Sequence, residues 1–224
     1  EKLPSEKEFG ELYDASKMTV KQALDILVTE GMIIKRRGAG TFVKDLSSGE
    51  LERISINSQF RGKTAEHPRE AVTSKVLEFS VVPCDELVQQ KLNLDEQEFV
   101  YFVHRVRYVN GEAHTVEESF MPINLITNLK LNDVQKSIYS YIQETLNLSI
   151  QSVHRFITVR KGNELEIKEL NLEEGDPVAV VEQVGYLSTG QAFEYSTSVH
   201  RYDFFKTEMV ITKIDDIKKP LDKF

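Results

Sequence analysis

The stretch from residue 16 to residue 31 constrains this chain more than any other. Ser16 carries a hydroxyl able to cap a helix, and the apolar residues behind it fall at Val20, Ala23, Leu24, Leu27 and Val28, the spacing of one helix face. The other positions carry Lys17, Thr19, Lys21, Gln22 and Asp25. Gly31 supplies a left-handed stop, which leaves Met32, Ile33 and Ile34 to begin a strand. Upstream, Ser5 follows Pro4 and can cap a shorter helix over 6–13, with Phe9 and Leu12 facing inward. Asp14 and Ala15 turn between the two helices. Downstream, Arg37-Gly38-Ala39-Gly40 is a tight turn that glycine permits, and Thr41-Phe42-Val43 returns as the partner strand.

Two helices joined by a short turn, the second presenting cations, hydroxyls and an amide, make a helix-turn-helix, and the hairpin after it makes a wing. The chain of 224 residues has a net charge of −8, which argues against coating nucleic acid by bulk electrostatics. That charge is unevenly spread. Residues 1–45 balance bases against acids, so the acidic excess lies beyond them, and from 16 to 44 six bases face two acids. Cations and hydroxyls suit phosphate contact, while side chains on an exposed helix face reach base edges.

Residues 3–43, LPSEKEFGELYDASKMTVKQALDILVTEGMIIKRRGAGTFV, closely resemble the winged-helix DNA-binding domain of the GntR family of bacterial transcription regulators. The resemblance covers the LPSE opening, the S-K-M-T-V-K-Q-A-L helix and the R-x-G-x-G-T-F-V wing. It implies that Ser5, Glu6 and Lys7 open the first helix against the DNA backbone, and that Ser16 and Thr19 bind phosphates. Lys17, Lys21 and Gln22 would reach bases or phosphates, with Arg36, Arg37, Gly38, Gly40 and Thr41 at the wing. Taken singly, each of these is as well read as a solvated surface residue, a helix cap or a turn glycine; their joint order carries the reading. Such domains begin with a further amphipathic helix, so one is expected ahead of Glu1.

Composition breaks at 45–52, DLSSGELE, where serines and a glycine interrupt the apolar pattern. We read 1–45 as the DNA-binding domain, 46–53 as a linker, 54–214 as a second domain and 215–224 as a tail. The second domain alternates strands rich in Val, Phe and Tyr with three short helical stretches, an α+β pattern with an antiparallel sheet. Apolar content of 40% is enough for a core. No apolar run is long enough to span a membrane and no secretory leader is legible, so no membrane partner is expected. Cys84 is the only cysteine, which excludes an intrachain disulfide and a Cys-based zinc cage and points to a reducing, cytoplasmic setting.

Within residues 99–109, FVYFVHRVRYV, a period of two puts Arg105 and Arg107 on one side of a strand. Paired guanidiniums repel unless an anion or carboxylates lie between them. Glu117 follows across an Asn110-Gly111 hairpin. Two readings of this spacing stand: an exposed cross-strand ion-pair ladder of small energetic weight, or an anion site. The Arg105-Val106-Arg107 segment, the run from Glu117 to Pro122 and the late stretch FEYSTSVHRYD resemble the UTRA effector domain of the HutC subfamily, which has a chorismate-lyase-like fold. That resemblance implies an effector pocket lined by Arg105, Arg107, Glu117, Glu194, Ser196, Ser198 and His200, with Ser58 and Arg61 as further candidates for an anion-binding loop. His200 stands where tyrosine is frequent. Residues 57–74 keep only part of the family pattern.

The chemistry of that pocket suits a small polar anion, a sugar phosphate before an organic acid. The alternatives are an enzyme on a chorismate-lyase-like fold and a DNA-architectural protein. Against the first, there is no G-x-S-x-G, P-loop or H-E-x-x-H, Cys84 beside Pro83 reads as a helix-start or core residue, and the histidines lack ligand spacing. We expect no catalytic residues, no metal and no cofactor. The acidic second domain disfavours the architectural protein. The sequence thus reads as a homodimeric repressor on a palindromic operator, released by a small anionic effector.

Overall fold

The computed structural model describes residues 1–36, 38–45 and 70–207, which fall into two compact units. The first holds α1 (Glu6–Tyr13), α2 (Lys17–Thr29), β1 (Ile33–Arg36) and β2 (Gly40–Val43). Local chemistry sets the helix ends. The Ser5 hydroxyl accepts from the Glu8 amide while the Glu8 carboxylate accepts from the Ser5 amide, and Ser16 caps α2 through the Thr19 amide. Gly31 adopts φ 75°, so the chain leaves α2 through a left-handed residue into β1. The strands β1 and β2 pair antiparallel, and the chain start adds to them: the Leu3 amide bonds to the Thr41 carbonyl and the Val43 amide to the Glu1 carbonyl.

Val20, Leu24 and Ile33 form the centre of this small core, with Phe9, Leu27 and Val28 packed on it. Two inward assignments from the sequence are corrected here. Leu12 is 67% exposed and Ala23 also faces out, because α1 touches α2 through Phe9 alone among its apolar residues in this core.

The second unit is built on β3 (Val72–Pro83), β4 (Phe99–Val109), β5 (Glu112–Pro122), β6 (Ile150–Lys161), β7 (Pro177–Leu187) and β8 (Ala192–Arg201). They form one antiparallel sheet in the order β3-β4-β5-β8-β7-β6, so the fold is α+β. One face carries α3 (Glu86–Leu92) and α6 (Glu164–Leu170) on two apolar clusters: Val88 and Leu92 pack with Val100 and Val184, and Leu170 packs with Val106, Val116 and Val199. Cys84 is buried just before the Asp85 cap of α3, its thiol donating to the Glu98 carbonyl. The other face is covered by a broken helical segment, α4 (Leu131–Val134), α5 (Ile138–Ser140) and a π turn (Tyr141–Thr145). Val134, Ile138 and Ile142 anchor that cover against Val103, Met121 and Phe193.

Candidate functional site

In the first unit, the structure puts Ser16, Lys17, Thr19, Lys21 and Gln22 on the exposed N-terminal half of α2. Ser16 Oγ also lies 2.9 Å from Thr19 Oγ1, so these two hydroxyls form one local polar pair. Ser5 and Lys7 are exposed at the start of α1, and Lys7 sits 3.7 Å from Glu11. Glu6 is half-buried and pairs at 3.5 Å with Lys35, which is itself 2.7 Å from Asp25. The Lys35 charge is therefore spent on tying β1 to both helices. At the wing, Arg36 lies over the Phe42 ring at 5.3 Å, Gly38 and Gly40 are exposed, and Thr41 is half-buried. Gly40 has φ 115°, a backbone that side chains rarely adopt. Arg37 lies outside the described residues, as do Ser58, Arg61, the linker 46–53 and the tail 215–224.

In the second unit, strand register brings the candidate effector residues into adjacent rungs on the covered face. Arg107 lies opposite Thr115, which lies opposite His200. Arg105 lies opposite Glu117, which lies opposite Ser198. The next rung runs Val103, Ser119, Ser196, Gln183, Arg155. Arg105 is 8% exposed and Arg107 2%, so the arginine pair is not the exposed ladder that spacing alone allowed.

Burial makes the electrostatics of this face strong. Arg105 donates from Nε to Glu117 Oε2 at 2.9 Å, and its Nη2 is 2.8 Å from the same oxygen. Arg107 Nη1 donates to Ser74 Oγ at 2.8 Å and to the Lys136 carbonyl at 2.9 Å. Burial pushes the Arg107 guanidinium down to about 10, against the pull of Glu117. Burial also acts to raise the Glu117 carboxyl, but Arg105 and Arg107 beside it hold it below the usual carboxylate value. Glu194 goes the other way. Its burial, with Glu117 nearby, pushes the carboxyl up, although Tyr139 donates to it at 2.6 Å. His200 Nδ1 is 3.3 Å from Thr115 Oγ1, and its ring meets Phe205 at 5.0 Å.

Sequence reasoning missed Ser74, Tyr139, Gln183 and Arg155. The last three make a polarised chain that ends on Glu194: Arg155 donates to Gln183 Oε1 at 2.6 Å, Gln183 to the Tyr139 hydroxyl at 2.9 Å, and Tyr139 to Glu194. Gln183 carried a signal, since it stands in the same alternation as Val181 and Ala179 on a strand beside Ser196. Tyr139 carried none, because its place depends on how 131–145 folds over the sheet.

A winged helix joined to a domain with a buried, charged sheet face is the architecture of a DNA-binding protein that senses a small molecule. The gntR family of bacterial regulatory proteins matches residues 1–43, and the UTRA domain matches residues 69–206. The chain is 35% identical over 213 residues to the HTH-type transcriptional regulator GmuR of Bacillus subtilis, covering 95% of this chain and 88% of that protein. It is 30% identical over 212 residues to the mannosyl-D-glycerate transport/metabolism system repressor MngR of Escherichia coli, covering 93% and 85%. The crystal structure of the possible transcriptional regulator YydK from Bacillus subtilis superposes with a TM-score of 0.76 at 30% identity, covering 95% of this chain and 92% of that one. This chain belongs to the GntR family of bacterial transcription regulators and carries that family's UTRA effector domain. It is a regulator and not an enzyme.

Proposed function

We propose that the chain is a ligand-responsive repressor that acts in the cytoplasm as a homodimer on a palindromic operator. The exposed half of α2, with Lys17, Thr19, Lys21 and Gln22, would enter the major groove, and the wing around Gly38 would follow the adjoining backbone. Ser16 would serve both as helix cap and phosphate contact. The domain reading places DNA contact in 1–45, the linker at 46–53, the effector domain over 54–214 and a tail at 215–224. It is supported by family matches that stop at 43 and resume at 69.

The observation that carries the effector assignment is the buried arginine pair beside two carboxylates. Burying four ionisable groups on one sheet face is a poor route to stability, since apolar residues of similar volume do as well or better. Such a cluster is better explained by a ligand with complementary charge and hydroxyls. Guanidiniums bind phosphate or carboxylate, while Glu117, Glu194, Ser196 and Ser198 suit sugar hydroxyls. A sugar phosphate satisfies both sets, and the MngR relative is named as the repressor of a sugar-derivative system.

Thermal unfolding in the presence of hexose phosphates and of small organic acids tests this reading. A hexose phosphate is expected to raise Tm in the wild type and not in Arg107→Met. Stabilisation by organic acids alone would reject the sugar phosphate, and equal stabilisation of both proteins would reject the site.

A further inference from the structure

The cover is held to the sheet by the same groups that would take the effector. Three consecutive carbonyls at the end of α4 each receive a sheet side chain. Arg105 Nη1 donates to the Val134 carbonyl at 2.6 Å, Ser74 Oγ to the Gln135 carbonyl at 3.0 Å, and Arg107 Nη1 to the Lys136 carbonyl at 2.9 Å. Arg105 Nη1 also reaches the Lys136 carbonyl at 3.2 Å. Three residues on, Tyr139 donates to Glu194.

Carbonyls at a helix C-terminus lack intrahelical partners, and their oxygens hold partial negative charge. Those of Val134 and Lys136 meet the two guanidiniums and that of Gln135 meets the Ser74 hydroxyl, so the turn offers oxygens to donors that a phosphate or carboxylate would engage. The geometry points to the 134–136 turn as an internal stand-in for the effector's anionic group. Anion binding and attachment of the cover therefore compete for Arg105 and Arg107, and the segment 131–145 is the element that responds to ligand. This rests on the effector site argued above.

Two features let the segment respond. Its own amide bonds are local: Gln135 bonds to Leu131, Lys136 to Asp133, Tyr141 to Ser137 and Leu146 to Tyr141, so the turn can shift without breaking a sheet ladder. A cleft of about 620 Å³ also opens beside it, with Thr73 and Ser74 on the sheet side and Lys136, Ser137, Tyr141 and Glu144 on the cover side. Val134, Ile138 and Ile142 remain anchored in the core. The motion is therefore a re-seating of the turn and not a full opening. Competition also fixes a sign: weakening the latch must raise affinity for an anion that takes over the arginines.

Hydrogen exchange on the full chain, with Tyr139→Phe and Ser74→Ala, tests the latch without ligand. Each variant is expected to speed amide exchange over 135–146 by about three- to tenfold while α3 and α6 keep wild-type rates. Inorganic phosphate, titrated by calorimetry, should bind Tyr139→Phe several-fold more tightly than wild type. Unchanged exchange over 135–146 in both variants, or weaker phosphate binding by Tyr139→Phe, overturns the latch. If Tyr139→Phe loosens the whole domain, Ser74→Ala alone decides by the exchange criterion. Phosphate affinity unaffected by Arg107→Met would instead reject the arginine site, leaving the exchange result to judge the latch.

Discussion

Arg105 and Glu117 stand directly opposite each other on β4 and β5, and a guanidinium nitrogen lies 2.8 Å from a carboxylate oxygen beneath the helical cover. Both partners were legible as strand residues facing one side. Their burial was not, because the cover that excludes water comes from residues 131–145, which no local periodicity ties to β4.

Breaking this pair is expected to be costly. Glu117→Ala leaves Arg105 and Arg107 buried without their carboxylate and should lower unfolding free energy by about 3–5 kcal/mol in urea titration. The pH dependence follows from its depressed folded pKa. Glu117 contributes stability that is fully present above the ordinary carboxylate value and is lost as pH falls through its lowered folded value. Wild type should therefore lose stability on acidification more steeply than Glu117→Gln.

Glu194 should show the opposite sign. Its folded pKa is raised by burial, so the folded state binds the proton better than the unfolded chain does. Stability from this group is present below the ordinary carboxylate value and falls as pH rises through the raised folded value. Glu194→Gln keeps an acceptor for Tyr139 and is expected to unfold at a higher temperature than wild type at pH 8, with the difference shrinking towards pH 4. A gap that widens on acidification contradicts this.

Gly185 marks a close approach between β7 and the core. A Cβ at this position would sit 2.6 Å from Phe193 Cε1, and Phe193 is fully buried and packs edge-on against Tyr139. Gly185→Ala is expected to cost about 1–3 kcal/mol by overpacking and to disturb the Tyr139 hydroxyl network. Thermal unfolding gives the first effect, and the chemical shift of the Tyr139 ring gives the second.

On the DNA side, Thr19→Ala should weaken operator binding by about 1–3 kcal/mol without unfolding the protein. Lys17→Ala and Lys21→Ala separate two roles. Loss of a phosphate contact lowers the salt dependence by about one unit of slope and weakens all sequences alike, whereas loss of a base contact relaxes specificity at one position. Mobility-shift titrations at several salt concentrations distinguish them.

The first unit was readable where a feature is local. Ser5, Ser16 and Gly31 set helix ends through bonds to residues a few positions away, and the glycine hairpin followed the same logic. Leu12 and Ala23 were misplaced because inward facing depends on which neighbours cover a helix, not on the period of the helix itself. In the second unit, alternation put Arg105 with Arg107, and the UTRA resemblance supplied Glu194, Ser196 and Ser198. Rungs between strands far apart in sequence joined them to Gln183 and Arg155. Tyr139 and the 134–136 carbonyls entered only through tertiary packing.

We propose that one arginine-lined site on this chain controls its hold on DNA. The most direct measurement is release of the operator complex by a hexose phosphate that stabilises the protein, compared between wild type and Arg107→Met in calorimetry and mobility shift. Linkage requires that the ligand bind more weakly to the operator complex than to free protein, by the same factor by which it weakens DNA binding. That asymmetry is expected in wild type, with no release of Arg107→Met at the same concentration. Equal ligand affinity with and without operator, or equal release of both proteins, would contradict it.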